Sequence, residues 1–294
     1  MTKKYWIEEA DFYITNVCNL TCSHCITYND RKFKGYSKWE DYREMYEEWA
    51  KILEVEMMVL IGGEPYTHPE LYKWAKGVSE LWPNLRSFAV CTNGTYLHID
   101  ENKKLSRDII DLGIWIDVSV HDPAFYDDIQ GHLEDILSVY DYERIPIQTT
   151  TLGRSFLDSG FEYRLNGKKI AELNQRWRLH TSSVRKEENG MIYMHTSDPL
   201  IAHENCSAYR CHYFNKGKLY KCYMVAIGED LTSQFNIDPD SKETLLDYRP
   251  CTPYDEPEFI EKFTKTIRDP IPQCTLCPEK RLPLDVFPIS LKKK

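Results

Sequence analysis

Asp11-Phe12-Tyr13-Ile14-Thr15 runs directly into Asn16-Val17-Cys18-Asn19-Leu20-Thr21-Cys22-Ser23-His24-Cys25. A short apolar run followed at once by cysteines at C-x3-C-x2-C spacing reads as a first strand with a ligand loop at its carboxyl end. Outward from this stretch the same rhythm recurs. Met57 to Ile61 reads as a second buried strand ending at Gly62-Gly63-Glu64-Pro65, and a helix follows from about His68 to Leu81. Arg86 to Cys91 is a third strand ending at Thr92-Asn93-Gly94, and the next helix closes near Gly113, in the C′ place. Trp115 to Val120 reads as strand four, Ile145 to Thr151 as strand five and Trp177 to Ser182 as strand six, while Gly160 to Lys169 interrupts the rhythm. Ser37-Lys38-Trp39-Glu40 has the form of a capping box, in which Ser37 and Glu40 satisfy each other's amides. The helix it opens carries Trp39, Tyr42, Tyr46, Trp49 and Leu53 on one stripe, expected to pack on the sheet. The alternation predicts an α/β fold, a partial (β/α)6 TIM-like barrel over residues 1–198, with its chemistry at the carboxyl ends of the strands.

Composition narrows the class. The chain has 294 residues, 42% hydrophobic and 13% aromatic, enough to bury a real core rather than remain disordered. No run approaches the roughly 18 apolar residues of a membrane span. Met1 to Glu9 has no apolar signal core, so secretion is not indicated. A net charge of -9 argues against nonspecific nucleic-acid binding. Ten cysteines, clustered as these are, do not suit a disulfide scaffold of this size. They point to metal in a reducing compartment, the cytoplasm.

Cys18, Cys22 and Cys25 can wrap one face of a cubane iron–sulfur cluster and leave its fourth iron open, which marks reactivity rather than structure. The alternatives are a zinc site completed by His24, or buried free thiols. From about Asp198 the character changes, and Cys206, Cys211, Cys222, Cys251, Cys274 and Cys277 all lie beyond it. Residues 199–294 are expected to form a small cluster-binding subdomain, a β-hairpin plus a helix near Glu256 to Ile267, with too little core to fold without metal. Cys211 to Cys222 reads as a hairpin about Lys216-Gly217, in which residues 211 and 222 stand opposite each other. Cys222, Cys274 and Cys277 are expected as ligands, and Cys206 and Cys211 compete for the fourth place. Structural zinc on the same ligands is the alternative. Cys91 reads as a small buried hydrophobe in strand three, Cys251 takes no assignment, and Lys292-Lys293-Lys294 reads as a solvated end.

The three-cysteine loop, followed one βα unit later by Gly62-Gly63-Glu64-Pro65, resembles the radical S-adenosylmethionine (radical SAM) superfamily. That resemblance implies a [4Fe-4S] cluster on Cys18, Cys22 and Cys25 whose open iron binds the amino and carboxylate groups of SAM. It implies reductive cleavage of SAM to methionine and a 5′-deoxyadenosyl radical, which abstracts a hydrogen atom from the substrate. SAM contacts are implied at Gly62, Gly63, Glu64 and Pro65, at Thr92 and Asn93, and at Ser119 near the ribose. Arg154 is expected to pair with the SAM carboxylate and Tyr28 to stack on adenine. The C-terminal cysteines resemble the twitch module, a shortened relative of the SPASM extension, which implies one auxiliary [4Fe-4S] cluster. An electron donor such as flavodoxin or ferredoxin is expected, and neither nucleic acid nor membrane is expected as a partner. The implied reaction is a net oxidation or cross-link on a small polar metabolite or a peptide. The start of the barrel near residue 11 favours the metabolite, with a ribosomally made peptide as the alternative. A non-catalytic iron–sulfur or zinc protein is the competing class.

Overall fold

The computed structural model describes residues 5–22, 25–147, 150–152, 155–157, 160–175, 179–180, 183–206, 208–280 and 282–283. Four βα units come first: β1 (Tyr5–Thr15), α1 (Trp39–Ile52), β2 (Leu53–Gly62), α2 (Leu71–Leu81), β3 (Ser87–Thr92), α3 (Asp100–Asp111), β4 (Trp115–Val120) and α4 (Tyr126–Leu137). A strand-rich stretch follows: β5 (Glu143–Ile147), β6 (Thr150–Leu152), β7 (Ser155–Leu157), β8 (Gly160–Leu165), β9 (Lys168–Gln175), β10 (Leu179–His180), β11 (Val184–Glu188) and β12 (Met191–Met194). The chain ends through α5 (Pro199–Glu204), β13 (Cys211–Asn215), β14 (Lys218–Tyr220), α6 (Tyr223–Ala226), α7 (Gly228–Gln234), α8 (Pro239–Leu246), α9 (Pro257–Lys265) and β15 (Leu282–Pro283).

Among the described residues one nine-stranded sheet has the order β14-β13-β1-β2-β3-β4-β9-β8-β5. Strands β13, β1, β2, β3, β4 and β9 run parallel, in a register that aligns Phe214, Phe12, Leu60, Val90 and Ile116 on one face. This is the mixed α/β fold with a large parallel sheet that the repeated βα units imply. Two of the expected strands lie elsewhere. Residues 143–147 form an antiparallel edge paired with β8, not a parallel fifth strand. Pro146 cannot donate to a ladder and Glu143 to Pro146 are exposed, as suits an edge. The fifth parallel place is filled by β9, whose partner β8 folds back at Asn166-Gly167, both with positive φ. The interruption at Gly160 to Lys169 is therefore a hairpin. Of the expected sixth strand, residues 176–178 and 181–182 lie outside the described residues, and Leu179–His180 pairs antiparallel with β15 away from the main sheet. The sixth parallel strand is instead β13, on the opposite side of the sheet between β1 and β14, and all five of its residues are buried.

The helix-facing core is aromatic. Phe12 meets the rings of Tyr46, Trp74 and Trp82 at 5.2, 6.1 and 5.9 Å edge-on and stacks on Phe214 at 4.8 Å. Three buried indoles find carbonyls: Trp49 donates to Gly217, Trp74 to Ser37 and Trp82 to Leu53, all at 3.0 Å. The predicted capping box is not formed, since Lys38 is the N-cap of α1 and no side chain caps it. The Ser37 carbonyl is claimed instead by His68 Nε2 at 2.8 Å and by Trp74, while Glu40 turns to Lys73 at 2.9 Å. The hairpin β13–β14 has the expected register, with Tyr213 opposite Tyr220 and Asn215 opposite Lys218. Its tip is pinned to α1: Gly217 N–H donates to the Tyr46 hydroxyl at 3.0 Å, and a Cβ on Gly217 would strike Met45 Sδ at 2.6 Å.

Phe214 thus joins the C-terminal hairpin to the core of the βα units. Phe214→Ala is expected to cost about 3–5 kcal/mol and to lower the stability of the whole chain in one transition. Denaturant unfolding followed by both tryptophan fluorescence and far-UV circular dichroism checks this. Two separated transitions would show that the hairpin is not part of that core.

Candidate functional site

The loop of three cysteines leaves β1 where β2 also ends. Gly63 N–H donates to the Thr15 carbonyl at 2.7 Å and Glu64 N–H to the Val17 carbonyl at 2.8 Å, so the pairing continues past both strand ends. A Cβ at residue 62 would lie 2.3 Å from the Thr15 oxygen, and one at residue 63 would lie 2.3 Å from the Val17 oxygen. The two glycines are required by the close approach of the chain leading into Cys18. Beyond it, Leu20 N–H and Asn93 Nδ2 donate to Cys18 Sγ at 3.4 and 3.8 Å, and Cys25 Sγ lies 3.3 Å from Thr27 Oγ1. A turn closed by Cys25 N–H to the Cys22 carbonyl at 3.3 Å brings the second and third cysteines together. All three are half-buried. Burial pushes the Cys22 thiol up to about 12, with Cys25 and Cys18 adding to it, so the sulfurs share one local field. A bound metal centre requires their thiolates and reverses that preference. His24 lies outside the described residues.

Glu64 is fully buried and its carboxylate is engaged. It accepts from Tyr66 N–H at 3.0 Å, from the Thr92 hydroxyl at 2.8 Å and from Asn93 N–H at 2.7 Å. Thr92 and Asn93 therefore come together with Glu64 at the ends of β3 and β2. The Asn93 side chain carries the link onward, donating to Asn19 Oδ1 at 2.9 Å while its own oxygen accepts from Thr95 N–H at 3.0 Å. Asn19 in turn donates to Thr95 Oγ1 at 2.6 Å. The sequence reading missed Asn19 and Thr95. The available signal was their place, one residue inside a ligand loop and one residue past a strand-end turn. Pro65 opens a short 3-10 turn, Pro65–Thr67, capped by Glu64. Ser119 is buried near the end of β4, opposite Asn174 of β9. Arg154 lies outside the described residues. Tyr28, expected against adenine, packs in a second core with Tyr13, Phe33 and Tyr223, and its hydroxyl meets Ser183.

The C-terminal cysteines separate. Cys206, Cys222, Cys274 and Cys277 line one cavity with Tyr223 and Met224, and Cys211 does not. Burial, then Cys222, Cys206 and Cys274 in turn, pushes the Cys277 thiol well up, which places four thiols around one space. The expected pairing of residues 211 and 222 across the hairpin fails because β14 stops at Tyr220. Cys222 lies beyond the ladder as the N-cap of α6. Cys211 stands beside Glu9 on β1 instead. Cys91 is half-buried rather than buried, and Cys251 is fully buried in a bridge to Leu219.

The structure thus joins a strand, a loop of three cysteines and a Gly-Gly-Glu-Pro turn on the neighbouring strand. Residues 12–145 match the family model described as Radical SAM superfamily. Among solved structures the chain is similar to BtrN in complex with AdoMet and 2-DOIA, at 19% identity over 39% of this chain and 46% of that one, with a TM-score of 0.31. It is also similar to anSMEcpe with bound AdoMet and a Cp18Cys peptide, at 15% identity over 46% and 40% of the two chains, with a TM-score of 0.34. A third is Streptococcus suis SuiB bound to S-adenosylmethionine, at 15% identity over 45% and 38%, with a TM-score of 0.29. The chain spans less than half the length of each. No curated protein matches it. No helix of the described residues is long and apolar enough to cross a membrane.

Burial raises Glu64 to about 7, against three hydrogen bonds that pull it down. A carboxyl raised in the folded chain binds its proton more tightly there than in the unfolded chain. The stability this adds is complete below its ordinary 4.5 and is lost as pH rises through about 7. Urea unfolding of the metal-free chain across that window should show stability falling with pH, and Glu64→Gln should flatten that part of the slope. An unchanged slope would mean that Glu64 is already ionised in the folded chain.

Proposed function

We propose that this protein is a radical SAM enzyme with one auxiliary iron–sulfur cluster. In this reading Cys18, Cys22 and Cys25 hold a [4Fe-4S] cluster with an iron left open to SAM. Cys206, Cys222, Cys274 and Cys277 hold the second cluster, and Cys211 is not a ligand. The observation that carries the reading is the tie between the three-cysteine loop and the Gly62–Pro65 turn, made by the Gly63 and Glu64 amides and by Asn93 beside Cys18. When bound on Cys18, Cys22 and Cys25, the cluster would supply the electron for reductive cleavage of SAM and so the radical chemistry on the substrate. The chain's own residues orient that chemistry. Leu20 N–H and the Asn93 amide donate to the Cys18 sulfur, and such donors tune a ligating thiolate. Gly62, Gly63, Glu64, Pro65, Thr92, Asn93 and Ser119 surround the SAM position, with Arg154 proposed for its carboxylate.

The proposed reaction is a net oxidation or cross-link on a small polar metabolite or a ribosomally made peptide, with flavodoxin or ferredoxin as donor, in the cytoplasm.

Anaerobic reconstitution should load about eight irons per chain, and with dithionite and SAM the protein should release 5′-deoxyadenosine. Cys22→Ala should abolish that release. Cys206→Ala should lose about four irons, and Cys211→Ala should keep the full complement. Filling with zinc, or no SAM cleavage by the wild-type chain, overturns the function. An iron loss in Cys211→Ala rather than Cys206→Ala overturns the ligand set.

A further inference from the structure

The cavity lined by Cys206, Cys222, Cys274 and Cys277 also has a lysine in its wall. Four thiolates around one space concentrate negative charge, and charge taken out of water needs a cation or hydrogen-bond donors beside it. Among the described residues that line the cavity, Lys221 is the one lysine or arginine and Asp269 the one carboxylate. Asp269 is exposed, so water screens it, whereas Lys221 is half-buried. Lys221 follows the last residue of β14 and precedes Cys222, so the hairpin that places the cysteine places the lysine as well. Its backbone N–H donates to the Tyr248 hydroxyl at 3.0 Å, which fixes the point from which the side chain leaves.

The far end of the side chain is fixed too. Lys221 Nζ donates to the Thr266 carbonyl and, at 2.8 Å, to the Thr266 hydroxyl, and it lies 5.8 Å from the centre of the Phe263 ring. Thr266 is the C-cap of α9, where a helix leaves carbonyls open and favours a cation. Among the described residues no carboxylate lies within 4.0 Å of Nζ, so no ion pair neutralises it. An ammonium has three N–H donors, and Thr266 takes two of them. Burial lowers the Lys221 pKa, and the charged groups that face it, Asp269 and Lys262, are exposed and oppose each other. Burial also pushes the Cys274 thiol up, while the Ile271 amide and Lys221 pull it back, so the field of the lysine reaches the thiols.

We propose that Lys221 sets the reduction potential of the auxiliary cluster, holding it high enough for that cluster to accept an electron. The inference rests on the reading of Cys206, Cys222, Cys274 and Cys277 as ligands of an iron–sulfur cluster. Such a centre gains one negative charge on reduction, and a cation anchored beside it stabilises the reduced form more than the oxidised one. Net charge and hydrogen bonds to the sulfurs are the means by which a protein sets a cluster's potential. Lys221 thereby favours transfer of one electron from the substrate radical to this cluster. The radical is oxidised, the cluster is reduced and the matching proton goes to water, as a net oxidation requires.

The test is a redox titration of the full-length reconstituted protein followed by electron paramagnetic resonance. SAM is added, so that the signal of the three-cysteine cluster is told apart by its response to SAM. Lys221→Met keeps the reach of the side chain and removes its charge. It is expected to disfavour reduction of the auxiliary cluster about tenfold, a shift of about 59 mV to more negative potential for a one-electron couple, while the SAM-responsive signal keeps its potential. Lys221→Arg keeps the charge and should stay close to wild type. An unchanged potential in Lys221→Met overturns the proposal. So does a shift as large in Lys221→Arg, which would make the effect one of packing. Loss of about four irons in both Lys221→Met and Lys221→Gln overturns it as well, since Lys221 would then hold the cluster rather than set its potential. Failure of the underlying reading shows separately, as wild-type protein that loads only about four irons and gives no second signal.

Discussion

The buried Glu64 carboxylate sits where β2 and β3 end, held by the amides of Tyr66 and Asn93 and by the Thr92 hydroxyl. A carboxylate taken out of water must be given donors, or the fold loses its solvation without return. Both strand-end turns are therefore drawn to one point. Asn93 is drawn in by its backbone, and its side chain is then free to reach Asn19 and Cys18. The position of the first cysteine is set in this way from β3, which is not its neighbour in the sheet. The glycines at 62 and 63 serve the same end, because any side chain there would push β2 off the Thr15 to Val17 backbone.

The C-terminal hairpin makes a second connection, at the other edge of β1. β13 pairs with β1, Phe214 stacks on Phe12, and Gly217 is tied to Tyr46 and Trp49 of α1. Cys222 follows within a few residues of that anchored tip, so the cavity it lines is placed by the core of the βα units. Tyr28 joins the two cysteine regions. Its N–H donates to the Cys25 carbonyl at 3.2 Å, and its ring packs in the second core with Tyr223 and Cys277. The left-handed backbone at Tyr28, φ 60°, turns the loop from one region toward the other.

Parallel strands and their helices were readable because each βα unit repeats a buried apolar run, a polar turn and an amphipathic stripe, as in Met57 to Leu81. The three-cysteine loop and the turns at Gly62 and Thr92 were readable for the same reason, since they fall where the strands stop. What escaped was non-local. Ile145 to Thr151 has the composition of a strand, but nothing in it says that Pro146 faces an open edge and that Lys168 to Gln175 takes the inner place. The Ser37 capping box lost to Trp74 and His68, which no window around Ser37 contains. Residues 211 and 222 sum correctly for the hairpin register, yet the ladder stops two residues short, so the arithmetic could not choose between Cys206 and Cys211.

β1 serves both faces at once. Its even positions, Ala10, Phe12 and Ile14, enter the aromatic core, while Glu9 and Asp11 lie on the opposite face and Cys18 follows beyond the strand end. A slip of one residue against β2 would exchange every side chain between the faces. Phe12 would lose Tyr46, Trp74, Trp82 and Phe214, and the Asp11 carboxylate would enter an apolar space with no donor. Each error is costly by itself, and both would occur together. The pattern that makes one face a core and sends Glu9 and Asp11 to the other therefore also fixes the register of β1, and with it the place at which the cysteine loop begins.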